Sequence, residues 1–268
     1  MIIYCTGCSH TEGVGLADNI IFPNDFPGEV HESKLNNVAW TNKRSELLLN
    51  SPFLFEQLRQ ENLKRAWPAY LSKITGHEVI NGGVGGASIL SIAMSLAYDL
   101  DELTEKKSTP DKVFVALPTI SRIPILNKNP IPGYHTLAFK NVLPSFVGNV
   151  FKGYENYAKG YFESHSDEEM LTFYLYHCIS IKHTVASITG SNPIFVKTYE
   201  FDDWKDIVSN SKIYLLKKYW DMLNFDSLSN QKSLNQFLDS SRVLLPDGHF
   251  KEYVHESFAD YVNKTFLL

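Results

Sequence analysis

The chain alternates between short, continuous apolar runs and longer segments in which apolar residues recur every three or four positions. The short runs predict buried strands, and the longer segments predict amphipathic helices. The predicted strands are 2–5, 78–80, 113–117 and 193–198. The predicted helices are 52–74 with a break near Pro68, 89–105, 166–188, 211–223, 234–237 and one that follows Phe250. This alternation is typical of an α/β fold with a mainly parallel sheet.

Two segments lack a regular period. Residues 14–50 contain scattered Pro, Asn and Gly, which predicts a loop with short helices. Residues 123–165 are rich in Pro, Gly and aromatic residues, and we interpret about 119–165 as an insertion that forms either a lid or binding surface or ordinary packing. No stretch resembles an interdomain linker, so we expect a single domain over residues 1–268.

Composition narrows the classes of function. The chain has 268 residues, 44% of them hydrophobic, and a formal net charge of −5 without a cluster of Lys and Arg. These values allow a substantial core and disfavour binding to nucleic acid or to an anionic membrane. No apolar run approaches the roughly 20 residues of a membrane helix, and the N-terminus lacks a signal-peptide pattern, so we expect a cytoplasmic protein. The oligomeric state is left open.

Three cysteines, Cys5, Cys8 and Cys178, cannot all pair with one another. The first two form a C-x-x-C sequence, a spacing that occurs in redox and zinc sites. A redox pair belongs at the start of a helix, whereas Cys5 falls in a predicted strand, and a zinc site would need a second pair that Cys178 cannot supply. We therefore expect neither a redox centre nor a metal site.

The first predicted strand leads directly into Thr6-Gly7-Cys8-Ser9-His10, a tight turn at the start of a helix. Ser9 therefore lies at the carboxyl end of a strand, where ligands bind in open α/β sheets. A serine nucleophile at this position could use its own backbone N–H to stabilise a developing oxyanion. The alternative is that Ser9 only caps the helix.

A second strand-to-helix turn, from Asn81 to Ser88, is rich in glycine. A dinucleotide-binding loop would have the pattern G-x-G-x-x-G and an acidic residue at the end of the next strand. Ser88 occupies the last glycine position, and Asp99 and Asp101 fall within the predicted helix. We therefore favour a turn whose small residues let backbone amides approach a substrate oxygen.

Two further groups of polar residues lie at ends of predicted elements. Thr119, Ser121 and Arg122 follow the third strand. Asp247 and His249 are separated by one residue, so in an extended segment both side chains project to the same side. The carboxylate could then hold the Nδ1–H of the imidazole and leave Nε2 as the base that serine catalysis requires. The alternative is a turn and helix cap in which His249 is exposed.

Taken in order, the serine turn, the glycine-rich turn and the Asp-x-His sequence resemble the SGNH, or GDSL-type, hydrolase family. The resemblance implies a flavodoxin-like, three-layer α/β/α fold around a mainly parallel five-stranded sheet, and hydrolysis of esters without a metal or other cofactor. By position, it implies that Ser9 is the nucleophile and that Ser9 and Gly86 donate backbone N–H groups to the oxyanion. It also implies that Asp247 and His249 complete a catalytic triad.

The chain departs from the family pattern at three places. The serine motif is Gly-Cys-Ser-His-Thr instead of Gly-Asp-Ser. One residue instead of two separates the Asp from the His, with Phe250 where proline often follows. The third block has no asparagine. The hydroxyls of Thr119 and Ser121 could replace the missing amide donor, and Arg122 could supply charge or bind an acidic substrate.

These residues predict a serine esterase or deacylase that acts through an acyl-enzyme on a small-molecule or carbohydrate ester, with O-acetyl on a sugar as the specific expectation. Two alternatives remain. The acyl group could pass to an acceptor hydroxyl instead of water, or the chain could be a binding module that kept the fold and lost turnover. The intact Ser9, Asp247 and His249 favour the enzyme, whereas the missing asparagine favours the module.

Overall fold

The computed structural model of the chain describes residues 1–31, 38–49, 51–120, 122–126, 139–142, 155–200, 202–246 and 249–268. Its strands are β1 (Ile2–Thr6), β2 (Val30–His31), β3 (Glu78–Asn81), β4 (Lys112–Leu117), β5 (Ile123–Leu126), β6 (Phe139–Val142), β7 (Ile194–Lys197) and β8 (Val243–Leu244). Its α-helices are α1 (Ser9–Glu12), α2 (Asp18–Ile21), α3 (Val38–Leu49), α4 (Pro52–Leu63), α5 (Trp67–Thr75), α6 (Ile89–Glu105), α7 (Glu155–Ser164), α8 (Asp167–Thr189), α9 (Asp202–Asn210), α10 (Tyr214–Met222), α11 (Phe225–Ser229) and α12 (Glu252–Phe266). A 3₁₀ helix covers Leu234–Phe237.

A four-stranded parallel sheet in the order β3-β1-β4-β7 forms the centre of the fold. Counted along the chain within this sheet, the order is 2-1-3-4, as in flavodoxin-like doubly wound folds. The chain leaves β1 towards β3 on one side and later enters β4 on the other side. This reversal leaves a crevice beyond the carboxyl ends of β1 and β4, which is where ligands bind in open α/β sheets.

Helices cover both faces of the sheet, because alternate residues of each buried strand point to opposite faces. On one face, Tyr4, Val113 and Val115 pack with the apolar residues of α6 and α8. On the other face, Ile3 and Phe114 pack with those of α5 and α12. The predicted three-layer α/β/α arrangement is therefore confirmed.

The long helix α8 begins and ends where the sequence predicts. The Ser166 hydroxyl accepts a hydrogen bond from the Glu169 N–H at 3.2 Å, and the Glu169 carboxylate accepts one from the Ser166 N–H at 2.9 Å. This reciprocal pair is the predicted capping box. Gly190 ends the helix with φ of 74°, a conformation that a side chain would disfavour.

The pattern of residues 14–50 does not reveal helix α3. Its polar and apolar residues lack a clear helical period, so the sequence pattern alone does not predict this helix. The packing of Trp40 accounts for its formation. The Trp40 ring packs edge-on against Phe22 and Phe26 at centroid distances of 5.9 and 6.0 Å. Tertiary packing therefore decides the conformation here. Helices α9 and α11 are also absent from the predicted elements.

The predicted helix 52–74 is two helices, α4 and α5. The break lies at residues 64–66, and Pro68 falls in the first turn of α5. Proline is tolerated there because the first N–H groups of a helix have no intrahelical acceptor. The predicted break near Pro68 is therefore confirmed, and it lies just before this residue.

The sheet has four strands among the described residues, one fewer than the expected five. Strand β8, which precedes the Asp-x-His sequence, pairs with β2 in a separate antiparallel ladder. That ladder places Val30 opposite Leu244 and His31 opposite Val243. Pro246 follows β8 and has no N–H to extend the pairing.

Only part of the predicted insertion at about 119–165 is described. It contains β5 and β6, which pair in an antiparallel ladder, and helix α7. The other aromatic and proline-rich residues of this segment lie outside the described ranges, so its role as a lid or binding surface stays a prediction. Within the part of the chain that the structure describes, every helix is too short or too polar to cross a bilayer.

The aromatic packing beneath α12 gives a test of this architecture. Phe258 is fully buried, and its ring centroid lies 5.6 Å from that of Trp67 and 5.9 Å from that of Phe237. Phe258→Ala should lower the free energy of unfolding by about 3–5 kcal/mol, because it leaves a cavity between the helix and the sheet. Phe53 is 80% exposed, so Phe53→Ala should change it by less than about 0.5 kcal/mol. Urea denaturation measures both, and equal losses would contradict the packing.

Candidate active site

Hydrogen bonds hold the serine turn, residues 7–12, against the glycine-rich turn, residues 82–87. These turns follow the neighbouring strands β1 and β3. The bonds run from Gly82 N–H to the Cys5 carbonyl (2.8 Å), from Val84 N–H to the Gly7 carbonyl (3.0 Å), from Asn81 Nδ2 to the Thr11 carbonyl (2.7 Å) and from Gly85 N–H to the Glu12 carboxylate. The two turns therefore form one unit at the carboxyl edge of the sheet.

Glycine is required at position 83 because the two turns approach so closely. A Cβ at Gly83 would lie 2.5 Å from the Glu12 backbone nitrogen and 2.7 Å from the Thr11 carbonyl carbon. The Glu12 side chain is itself buried, and its carboxylate lies 3.7 Å from Arg59 Nε in addition to accepting the N–H of the glycine-rich turn. A buried carboxylate needs such partners. The charged side chain of Glu12 therefore links the two turns in addition to their backbone packing.

Ser9 is the first residue of α1 and is 5% exposed. The residue that caps this helix is Cys8, and no side chain makes a capping hydrogen bond. The alternative that Ser9 is present as a cap therefore has no support in the geometry. Ser9 Oγ makes no hydrogen bond to any residue that the structure describes.

The backbone N–H groups at this edge that lack an acceptor among the described residues include those of Ser9 and Gly86. The first residues of a helix have no intrahelical acceptor, which accounts for Ser9. In the glycine-rich turn, every other N–H from residue 82 to residue 87 has an acceptor. Gly86 adopts φ of 76°, and a Cβ there would meet no atom within 4 Å, so the space beside it is open. The two groups predicted to form an oxyanion hole are thus available.

His249 lies beside the serine turn. Its ring centroid is 5.0 Å from that of His10, the residue after Ser9. A hydrogen bond of 2.9 Å from the Leu245 N–H to the His249 carbonyl closes the turn that carries it. The His249 side chain is half-buried and not exposed as the alternative required. Its predicted partner, Asp247, lies outside the described residues, so that pairing stays a prediction.

His10 is a buried neighbour of the site that the sequence reasoning missed. Its Nε2 lies 2.5 Å from the Tyr199 hydroxyl, and its ring stacks on Phe250 with centroids 4.8 Å apart. Burial lowers the pKa of His10 well below its usual value, and the nearby positive charges of His249 and Arg122 lower it further. His10 is therefore a neutral wall of the site. Its position directly after the serine was the available signal.

His255, the other histidine near this site, has a structural role. It is 1% exposed, and its Nδ1 accepts a hydrogen bond of 3.3 Å from the Trp67 N–H. The pKa of His255 is lowered to about 3, mainly by burial and to a lesser extent by the charge of His249. A hydrogen bond with the Phe250 backbone acts in the opposite direction and raises this pKa. An imidazole held in this way joins α5 to α12 and is not placed to act as a base.

The loop after β4 contributes a guanidinium to this edge. Arg122 Nη1 donates a hydrogen bond of 3.1 Å to the carbonyl of Ala87, which ends the glycine-rich turn. Thr119 is half-buried in the same loop, and Ser121 lies outside the described residues. The substitution of a hydroxyl for the missing asparagine amide therefore stays a prediction for both residues.

All three cysteines are buried and form no disulfide. Burial raises the pKa of the Cys5 and Cys178 thiols well above their usual value, which disfavours the thiolates that redox and metal chemistry require. No group of three His, Cys, Asp or Glu side chains within the described ranges is arranged to hold a metal ion.

Comparison with known proteins gives similarity of fold only. Neither a scan of protein-family models nor a search of curated proteins found a match. Among solved structures, the chain is similar to a protein assigned to the G-D-S-L lipolytic family from Desulfitobacterium hafniense, with 13% identity, 98% coverage of both chains and a TM-score of 0.41. It is also similar to a carbohydrate esterase with divergent catalytic and non-catalytic binding functions, with 13% identity, 99% of this chain and 68% of that chain covered, and a TM-score of 0.48.

A third similar structure is an acetyl xylan esterase from the rumen bacterium Butyrivibrio proteoclasticus, with 10% identity, 98% of this chain and 63% of that chain covered, and a TM-score of 0.43. At such low identities and TM-scores, these similarities carry no argument about activity. The chain's own fold and site define a doubly wound α/β protein with a serine, a histidine and an arginine beside its topological switch point.

The close contact at Gly83 gives a test of the docked turns. Gly83→Ala should lower the free energy of unfolding by about 1–3 kcal/mol, because the methyl group would have to displace backbone atoms of the serine turn. Gly160→Ala is the control, since a Cβ at this position in α7 would meet nothing within 4 Å. Chemical denaturation of both variants measures the difference. A Gly83→Ala protein as stable as the wild type would show that the turns are not packed in this way.

The buried histidine of α12 predicts a sensitivity to acid. The pKa of His255 is about 3 in the folded chain and about 6.5 in an unfolded one, so between these values the unfolded state binds a proton that the folded state excludes. The free energy of unfolding should fall as the pH falls through this window, by about 1.4 kcal/mol per pH unit from this residue. His255→Asn keeps an acceptor for the Trp67 N–H and should flatten the dependence. An unchanged slope in denaturation from pH 7 to pH 4 would contradict this account.

Proposed function

We propose that this chain is a serine esterase or deacylase that hydrolyses a small-molecule or carbohydrate ester through an acyl-enzyme. The observation that supports the proposal most is that the backbone N–H groups of Ser9 and Gly86, in the docked turns after β1 and β3, have no acceptor among the described residues. His249, whose ring centroid lies 5.0 Å from that of His10 in the serine turn, is the proposed base. Acyl transfer by a serine uses this combination of a nucleophile, a base and N–H donors for the oxyanion.

The proposed reaction has two steps. In the first, His249 accepts the Ser9 hydroxyl proton as the oxygen attacks the ester carbonyl, and the carbonyl oxygen becomes an oxyanion held by the two N–H groups. The tetrahedral intermediate collapses, and the imidazolium gives its proton to the leaving alcohol. In the second step, water repeats the attack on the acyl-Ser9 ester and releases the acid. Asp247 would hold the imidazole in the required tautomer.

Nothing in the proposed chemistry requires a long acyl chain, and an O-acetyl group on a sugar is the proposed substrate. A series of p-nitrophenyl esters of increasing chain length, compared with acetylated sugars, would define the acyl and alcohol preferences. Turnover that rises with an added acceptor alcohol would indicate acyl transfer in place of hydrolysis.

Ser9 should react with a fluorophosphonate probe, because a serine near a neutral imidazole is activated and an ordinary helix-capping serine is not. Ser166 provides the matched control, since its hydroxyl caps α8. Ser9→Ala should abolish labelling, and Ser166→Ala should leave it unchanged. Peptide mapping by mass spectrometry identifies the site. Labelling that persists in Ser9→Ala, or that is absent from the wild type while a control esterase is labelled, would reject Ser9 as the nucleophile.

His249→Ala should lower kcat for ester hydrolysis by about 10³-fold or more, because no base remains to take the serine proton. Asp247→Asn should lower it by somewhat less. His183, an exposed histidine on α8, is the control, and His183→Ala should retain full activity. Steady-state kinetics on folded variants decides the matter. A His249→Ala enzyme with wild-type kcat would remove this residue from the mechanism.

A further inference from the structure

Arg122 carries a charge that no described carboxylate neutralises. Its Nη1 donates to the Ala87 carbonyl, a neutral acceptor, and no Asp or Glu side chain in the described ranges lies within 4 Å of the guanidinium. Its Nε is buried and lacks a hydrogen-bond partner there. Arg44 and Arg65 differ from Arg122 in that each pairs with a carboxylate, of Asp18 and Glu252 respectively, although the buried Nε of Arg65 also lacks a hydrogen-bond partner. A buried guanidinium N–H without an acceptor is costly, so a ligand that fills this position gains from it.

The open edge of Arg122 has the geometry of a bidentate site. A guanidinium presents Nε and Nη2 side by side, and this edge matches the two oxygens of a carboxylate. Nη1 of Arg122, on the opposite side of the guanidinium, donates to the Ala87 carbonyl, and this hydrogen bond fixes the orientation of the guanidinium. The edge with Nε and Nη2 remains for another partner. Arg122 is distinguished by the combination of this unoccupied buried N–H with the absence of a described carboxylate partner.

Arg122 lies at the switch point beside the proposed catalytic groups. It follows β4, whose carboxyl end and that of β1 border the crevice of the sheet. Its contact residue, Ala87, is next to Gly86, and its charge lowers the pKa of His10, next to Ser9. Burial raises the pKa of the Tyr174 hydroxyl, whereas the charge of Arg122 acts to lower it. This hydroxyl donates a hydrogen bond to the Pro118 carbonyl at the start of the loop. An anion bound by Arg122 would therefore lie within the same crevice as the ester.

We propose that Arg122 is a specificity-determining residue that binds an anionic group of the substrate, so that the preferred ester carries a carboxylate. This inference rests on the proposed ester hydrolysis and adds to it the class of substrate. The carboxylate can belong to the acyl part or to the alcohol part. In either case, it makes two charge-assisted hydrogen bonds to the Nε and Nη2 edge, present in the ground state as well as in the transition state.

Two pairs of matched esters test the proposal. For the acyl part, the mono-4-nitrophenyl ester of succinate is compared with its uncharged succinamate counterpart. For the alcohol part, 4-acetoxybenzoate is compared with 4-acetoxybenzamide. The wild type should prefer the charged member of at least one pair by about 10- to 100-fold in kcat/KM, mainly through KM. The pair that shows the preference identifies the part of the substrate that carries the anion.

Variants of Arg122 separate recognition from catalysis. Arg122→Met should raise KM for the charged ester more than for the uncharged ester, so that the ratio of the two kcat/KM values falls towards one. Arg122→Lys keeps the positive charge but cannot donate two parallel hydrogen bonds to a carboxylate, so it should retain only part of the preference for the charged ester. Lys205→Met is the matched control, because it removes an exposed cation that pairs with Asp226. This variant should keep the full preference for the charged ester. A loss of kcat of about 10²-fold or more on charged and uncharged esters alike would overturn the proposal in favour of an oxyanion contact.

A binding measurement distinguishes failure of this inference from failure of the proposed function. Calorimetry on Ser9→Ala protein measures the affinity for monomethyl succinate and 4-hydroxybenzoate, against methyl butyrate and 4-hydroxybenzamide. Binding of a carboxylate that disappears in the Ser9→Ala, Arg122→Met double variant supports the site even if no ester is hydrolysed. Absence of any preference for the carboxylates in binding and in kinetics would overturn it, whatever the activity of Ser9.

Discussion

The docking of the serine turn onto the glycine-rich turn is the constraint on which the rest of the site depends. Backbone groups make most of the contact. Because Gly83 has no side chain, the two turns approach so closely that a methyl group would not fit between them. Among the described residues, every N–H from residue 82 to residue 87 has an acceptor except that of Gly86, some in β1 and the serine turn and others within the glycine-rich segment itself. The buried carboxylate of Glu12 fixes the same contact from the serine side.

The electrostatics of the site follow from the unequal burial of its cations. His10 and His255 lie fully inside the protein, where desolvation favours their neutral forms. They can therefore surround His249 without adding charge to it at neutral pH. Arg122 cannot lose its proton, and its charge is the fixed positive feature of the crevice. The site thus combines a neutral aromatic wall with one permanent cation.

Most of the central sheet could be predicted because its strands are buried on both faces and appear as continuous apolar runs. Ser9, Gly86 and Arg122 could be found because the carboxyl ends of parallel strands meet at one edge. The roles of His10 and Glu12 could not, since their partners are 189 and 73 residues away in the sequence and only the adjacency of His10 to the serine marks either of them. Helix α3 was missed for the same reason, because packing on Trp40 and not periodicity decides it.

His249 is attached to a different part of the molecule from Ser9 and Gly86. The strand before it, β8, joins a ladder with β2 that comprises two residue pairs and lies apart from the central sheet. Leu244 in that ladder and Phe250 beside the histidine are nevertheless buried in the core that α5 and α12 form with the sheet. The position of the histidine therefore depends on the α5–α12 layer, whereas Ser9 and Gly86 depend on the ends of β1 and β3. A substitution that shifts α12 would move the proposed base relative to the proposed nucleophile without changing either residue.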